Sequence, residues 1–170
     1  RRDRIAMIEG FDVRLAGTTA DVELIREMFR EYQAWLEVDL CFQDFAKELA
    51  DLPGIYALPE GRLFLVFDAG DGAKNGQLVA CVGVRPRDSG RCEMKRLYVR
   101  EPWRRRGLGR KLTELCMDEA RRAGYREMCL DTLAQLDAAR ALYGVMGFRE
   151  IPAYYDNPLD GVTYMAIDLS

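Results

Sequence analysis

Val99-Arg100-Glu101-Pro102-Trp103-Arg104-Arg105-Arg106-Gly107-Leu108-Gly109-Arg110-Lys111-Leu112 is the stretch whose reading decides the fold. A β-rich run over residues 93–99 feeds a proline. Three arginines and two glycines follow, and then a helix opens. Glycine lets the backbone turn its N–H groups toward a bound anion. The helix that starts there aims its positive dipole end at the same place. The combination is a phosphate cradle that needs no lysine or metal. The other reading of the arginines is a solvated basic face.

Upstream, the run 63–67 is a compact apolar strand, 68–76 is a Gly/Asp/Asn loop, and 77–84 is the next strand, which predicts a hairpin. Residues 86–90 read as another turn, and 92–99 as the third strand of a meander. Toward the N-terminus, 11–16 reads as a short first strand. Thr18 or Thr19 then caps a helix whose apolar positions Val22, Ile25, Met28, Phe29, Tyr32 and Leu36 keep helical spacing. Residues 43–52 predict a second short helix, stopped by Pro53-Gly54. Downstream, Leu108, Leu112, Leu115, Cys116 and Ala120 form one apolar helix face that ends at Gly124. A strand over 127–131, a helix over 136–146 closed by Gly147, and strands over 148–151 and 162–169 complete the chain. The order β-α-α-β-β-β-α-β-α-β-β predicts an α/β (α+β) fold, a mixed central sheet flanked by helices in a single domain spanning 1–170. Its middle strand–helix–strand segment predicts a right-handed parallel crossover.

Composition narrows the chemistry. The 170 residues are 49% hydrophobic and 31% charged, with a net charge of −3, which fits a globular protein and argues against a nucleic-acid partner. There is no histidine, so Ser-His and Cys-His nucleophile pairs and His-rich metal sites are excluded. Any acid or base is Glu, Asp, Tyr, Cys, Lys or water. The five cysteines, Cys41, Cys81, Cys92, Cys116 and Cys129, have no C-x-x-C spacing and sit mostly in apolar runs. They read as reduced core residues of a cytoplasmic protein. No apolar stretch approaches the length of a membrane span, so no membrane partner is expected. Arg1-Arg2 is not followed by the apolar region of a twin-arginine signal.

A second motif lies at Leu142-Tyr143-Gly144-Val145-Met146-Gly147-Phe148. Leu142 and Met146 form an i, i+4 pair, and Tyr143 points along a neighbouring face. By spacing alone Tyr143 is either a core or rim tyrosine or a functional phenol. Taken together, Arg104-x-x-Gly107-x-Gly109 between a strand and a helix, followed by Leu142-Tyr143-x-x-x-Gly147-Phe148, resembles the GNAT superfamily of acetyl-CoA-dependent N-acetyltransferases. The resemblance covers about residues 77–169, and the N-terminal part fits in element order only. It implies a GNAT-like, mostly antiparallel sheet and acetyl-CoA as acyl-donor cosubstrate, with no metal. Backbone amides of Arg105, Arg106, Gly107, Leu108, Gly109 and Arg110, beside Arg104, would hold the pyrophosphate. The main chain of Leu97 and Val99 would pair with the pantetheine arm, and Tyr143 would face the thioester sulfur. The leaving thiolate then needs a proton, which Tyr143 can give, and the oxyanion needs a donor, for which the Leu97 N–H is the candidate.

The base is open between Glu93 and a water relay, because Glu93 also reads as a strand carboxylate paired with Lys95 or Arg96. In a regular strand Glu93 shares a face with Leu97. Asp131 and Thr132 are secondary candidates. The family often carries Asn three residues before the alanine matched here by Ala139; this chain has Leu136 there, with Gln135 or Asp137 as substitutes. The acceptor side is read from Glu31, Glu37, Asp39, Asp44, Glu48 and Asp51 against Lys47, among Trp35, Phe42 and Phe45, with Tyr154, Tyr155 and Asp156 opposite. That surface suits a cationic amine with apolar bulk, or is an ordinary acidic face. The expected function is acetyl transfer in a ternary complex to a small amine or amino acid derivative. The alternatives are a protein or peptide amine, and a non-catalytic acyl-CoA-binding module. A homodimer stays open.

Overall fold

The structure is a computed structural model, and it describes residues 4–41, 44–72 and 76–170. The elements run β1 (Arg4–Ile8), β2 (Phe11–Leu15), α1 (Thr19–Leu36), α2 (Phe45–Asp51), β3 (Arg62–Asp68), β4 (Leu78–Asp88), β5 (Arg91–Val99), α3 (Leu108–Arg122), β6 (Glu127–Thr132), α4 (Asp137–Val145), β7 (Arg149–Ile151) and β8 (Thr163–Asp168). The strands form one mixed, mostly antiparallel sheet in the order β1-β2-β3-β4-β5-β6-β8-β7. Its single parallel pair, β5 with β6, flanks the α3 crossover. Apolar side chains bury both faces. One cluster joins Val82, Met94, Leu112 and Tyr143; the other joins Ile25, Phe29, Leu65 and Tyr98.

The expected architecture holds, with one strand added. Residues 11–16 are not the first strand: β1 precedes them and pairs antiparallel with β2 across Glu9-Gly10. Gly10 takes φ 78° at the second position of this turn, a left-handed conformation that glycine adopts without steric cost. The turn expected over 86–90 is shorter, because β4 continues through Pro86, opposite Cys92, and only Ser89-Gly90 turns. A register shift between Pro86 and Asp88 accommodates the missing N–H. The loop residues 73–75 and the helix start at Gln43 lie outside the described residues.

Helix α1 is capped by Thr18. Its hydroxyl accepts from the Asp21 N–H at 3.1 Å, and Asp21 Oδ2 accepts from the Thr18 N–H at 3.1 Å. Arg14 clamps the other carboxylate oxygen at 2.8 Å. This reciprocal capping box fixes where α1 leaves β2. The buried face of α1 is Ile25, Met28, Phe29 and Leu36.

Two features of β5 position everything that follows. It pairs with β6 only through Arg91, Cys92 and Glu93, after which the strands part. It also carries a bulge. Gly83 faces Lys95 and Cys81 faces Tyr98, so Val82 alone opposes Arg96 and Leu97. Arg96 takes φ 60° there. Cys92 and Met94 pack on one face of the sheet, and the extra residue brings Leu97 and Val99 back to that face. The expectation that Glu93 shares a face with Leu97 is therefore corrected: a one-residue shift moves every side chain beyond it to the opposite face.

Gly61 marks the tightest approach in the fold. A Cβ there would lie 2.3 Å from the carbonyl carbon of Tyr56, a residue buried in the core. Backbone cannot yield as a flexible side chain does. The expected cost of Gly61→Ala is about 3 kcal/mol, read as a fall in Tm of roughly 6–12 °C by thermal denaturation.

Candidate functional site

Where β5 and β6 part, a cleft of about 580 Å³ opens. Met94 to Leu97 and Val99 form one wall, and Leu130 to Leu133 form the other. The start of α3 closes one end, and Leu142 and Tyr143 of α4 lie along the cleft. Tyr32, Trp35 and Leu36 of α1 complete it.

The α3 end has the form of an anion seat. Arg104 N–H bonds to Glu101 O at 3.1 Å, and the next bonded amide is Lys111, to Gly107 O at 3.1 Å. Among the described residues the amides of residues 105–110 therefore have no hydrogen-bond acceptor. Arg105 at φ 60° and Gly107 at φ 76° turn the chain so that α3 begins at Leu108. No side chain caps this helix. Unpaired amides at a helix N-terminus are the usual partner of a phosphate.

Leu97, Val99, Arg104, Arg105, Gly107, Leu108, Gly109, Arg110 and Tyr143 all line the cleft, as the motifs imply. Two of the expected site residues do not. The guanidinium of Arg106 lies 4.6 Å from the centre of the Phe11 ring, where it braces the α3 turn against β2. Glu93 is fully buried behind the cleft. Arg85 holds its Oε1 at 2.7 Å, the Tyr154 hydroxyl donates to its Oε2, and Lys95 approaches Oε2 to 3.8 Å. Arg104 has a role that the motif does not announce. Its Nε donates to Val99 O at 2.8 Å, and its guanidinium stacks 4.4 Å from the centre of the Trp35 ring. A carbonyl has two lone pairs, so Val99 O can still accept a second donor.

Tyr143 is buried against Phe148, with 5.5 Å between ring centres. Burial pushes its hydroxyl well above the usual tyrosine range, with further upward contributions from Tyr32, Cys116 and Asp131. Among the described residues nothing hydrogen-bonds that hydroxyl. It is a protonated, unspent donor facing the cleft.

The acceptor side differs from the sequence picture. Glu31 is held by Arg100 at 2.9 Å and by the Tyr98 hydroxyl. Glu48 is held by Arg96 at 3.0 Å and by the Tyr56 hydroxyl at 2.7 Å. Asp51 pairs with Lys47, and Asp39 accepts from the Cys41 N–H. Glu31 and Glu48 thus brace α1 and α2 against the sheet, whereas Glu37, Asp39, Asp44 and Asp51 are exposed and remain an acidic surface; Phe42 lies outside the described residues. Tyr154 and Tyr155 do not line the cleft, and their hydroxyls go to Glu93 and Asp131. Asp131 does line it, paired with Lys95 at 2.8 Å. Burial works to raise the Asp131 pKa, but Lys95 and the Tyr155 hydroxyl outweigh it and hold the carboxyl below the usual range. Leu136 occupies the helix-start position with no side-chain cap, Gln135 donates to Leu36 O at 3.1 Å, and Asp137 pairs with Arg140.

The cleft fits an acyl-CoA on three counts: unpaired amides at one end, an open strand edge along one wall, and a phenol along its length. Comparison with known proteins agrees with that fit. The sequence model described as the acetyltransferase (GNAT) family matches residues 22–148, which extends the likeness into the N-terminal half. An uncharacterized N-acetyltransferase of Schizosaccharomyces pombe is 36% identical over 88% of this chain and 90% of its own. An acetyltransferase structure from Salmonella typhimurium with its cofactor acetyl-CoA superposes with a TM-score of 0.63 at 23% identity, covering 95% of each chain. Spermidine N-acetyltransferase from Vibrio cholerae, in complex with CoA and spermine, gives 0.66 at 19% identity over 95% of this chain and 97% of that one.

Proposed function

Since the chain belongs to the acetyltransferase (GNAT) family, we propose that its cleft unites acetyl-CoA with a small amine or amino acid derivative for direct acetyl transfer in a ternary complex. The observation that carries this reading is the run of unpaired amides over 105–110, opening on a cleft that leads to an unspent tyrosine hydroxyl.

The amides of residues 105–110 and the dipole of α3 bind the pyrophosphate of the donor, with Arg105 and Arg110 adding charge at the rim. The open edge of β5 at Leu97 and Val99 aligns the pantetheine arm as an added strand. When bound, acetyl-CoA supplies an activated acyl group as a thioester. The amine attacks its carbonyl carbon, and the bulged Leu97 N–H stabilises the oxyanion. As the C–S bond breaks, the Tyr143 hydroxyl donates a proton to the leaving thiolate. The proton released by the amine passes to a water relay on the β6 side, where Thr132 and Asp131 are the polar groups.

Glu93 is not the base in this account. Its carboxylate is spent on Arg85, Lys95 and Tyr154 and does not reach the cleft.

The reading is tested by CoA thiol release from acetyl-CoA over a panel of amines, amino acids and peptides. Release that depends on a small acceptor supports it. Absence of release with every acceptor, with no thermal shift on adding CoA, overturns it. A pH profile follows from the state of Tyr143. Alkyl ammonium groups titrate near ~10, so kcat/KM rises with pH as the acceptor loses its proton. A raised tyrosine pKa keeps the phenol protonated throughout that rise. The expected profile has no falling limb below about pH 10. A falling limb that vanishes in Tyr143→Phe contradicts the protonation state assigned here.

A further inference from the structure

Among the described residues, Arg96 is the buried cleft-lining cation whose hydrogen bonds are left largely unspent. It sits at the bulge of β5 and is only 4% exposed. Its Nε donates to Glu48 Oε2 at 3.0 Å. Its Nη2 is fully buried with no partner, and Nη1 has none among the described residues. Phe45 packs 5.1 Å from the guanidinium. An unsatisfied buried donor costs about 1–3 kcal/mol, and more when it is charged. Nη1, unbonded and not closed off as Nη2 is, is the donor that a ligand in the cleft can reach, and a charged guanidinium N–H suits a carboxylate oxygen.

The position separates this anion from the donor's phosphates. Arg96 lies three residues before the end of β5, roughly 10 Å along the strand, and the phosphate seat begins beyond the following turn. Tyr32 lines the same cleft as Arg96 and Tyr143. Desolvation pushes the Tyr32 hydroxyl up to about 12, against a lowering by Arg96, so Tyr32 stands protonated there.

Charge balance indicates what kind of acceptor fits. Arg85, Lys95 and Arg96 are joined by ion pairs to Glu48, Glu93 and Asp131, three cations to three carboxylates. A simple ammonium or a polyamine adds uncompensated positive charge beside Arg96. An amine that also carries a carboxylate adds none.

Resting on the acetyltransferase reading above, we propose that the free guanidinium Nη1 of Arg96 in the β5 bulge binds the carboxylate of the acceptor, so that the acceptor class is amino acids rather than polyamines or simple amines.

The test compares matched acceptors at saturating acetyl-CoA: an amino acid, its primary amide, and the corresponding decarboxylated amine. The amide's amine is less basic than the amino acid's and the decarboxylated amine is about as basic or more so, so a preference for the acid over both is not a basicity effect. The expected kcat/KM for the acid exceeds both by tenfold or more. In Arg96→Lys, which keeps the charge beside Glu48 but loses the guanidinium, KM for the amino acid rises at least tenfold. The CoA-induced thermal shift of that variant matches the parent, which shows that it is folded and that its donor site is intact. Calorimetric binding of the amino acid to the CoA-loaded parent and variant reads the same loss without turnover.

Equal use of acid, amide and amine, or preference for spermidine, overturns the carboxylate assignment and leaves the acetyltransferase reading standing. Preference for succinyl-CoA over acetyl-CoA, abolished in Arg96→Lys, also overturns it, by moving the carboxylate to the acyl chain. If Arg96→Lys fails to fold, the acceptor series on the parent protein decides alone. No transfer to any acceptor overturns both readings.

Discussion

Tyr143→Phe is expected to lower kcat by about 10²-fold or more while the affinity for CoA stays within about twofold of the parent. The substitution removes one hydroxyl and nothing else. That hydroxyl makes no hydrogen bond among the described residues, so its loss leaves no partner unsatisfied. The ring still packs against Phe148 and the surrounding core. Tm therefore holds or rises slightly. An effect on rate without an effect on stability or donor binding is the signature of a group used only in the transition state. The thiolate that leaves is the group left without a proton, so the loss shrinks with acyl donors whose leaving thiol is more acidic. Stopped-flow thiol detection checks the rate, and calorimetry with CoA checks the binding. Unchanged turnover would remove Tyr143 from the mechanism.

The second large effect is one of stability. Glu93→Gln is expected to destabilise the fold by about 3–5 kcal/mol, a fall in Tm on the order of 10 °C. Glu93 is fully buried, and its carboxylate neutralises Arg85 and Lys95 within the sheet. Removing the charge leaves three cations, Arg85, Lys95 and Arg96, on the two carboxylates Glu48 and Asp131. At a temperature where the variant is folded, its pH–rate profile keeps the parent's shape, because the limb belongs to the acceptor amine. A variant with parental Tm and a flattened acid limb would restore Glu93 as the base.

These two residues show what the sequence discloses and what it withholds. Strand, glycine turn and helix at 99–112 were readable because each conformation is local: a β-rich run, a proline, two glycines and a 3.6-residue apolar repeat. Tyr143 was readable only as part of a pattern with Gly107, Gly109 and Gly147, since a lone tyrosine on a helix has no distinguishing spacing. Glu93 was misplaced because its facing depends on a bulge. Arg96 at φ 60° shifts the strand by one residue, and nothing in Met94-Lys95-Arg96-Leu97 signals a left-handed arginine. The same bulge hides Arg96 as a cleft residue, because a regular strand would turn it differently. Within the acidic run 31–51, the pairing of Glu31 and Glu48 was hidden for another reason. Their partners Arg85, Arg96 and Arg100 lie on β4, on β5 and just beyond β5, and long-range pairing is invisible in a linear charge count. The strand β1 was missed because Arg4–Ile8 has no polar alternation to declare a sheet edge.

On the function proposed, one cleft between β5 and β6 orders the acyl donor from the α3 amides to Tyr143. The most direct test is a crystal structure of the protein with CoA bound. The expected result is pyrophosphate oxygens within about 3 Å of backbone amides among residues 105–110, the pantetheine amides on the Leu97–Val99 edge, and the sulfur beside the Tyr143 hydroxyl. Density for CoA elsewhere, or with its thiol remote from Tyr143, would contradict it.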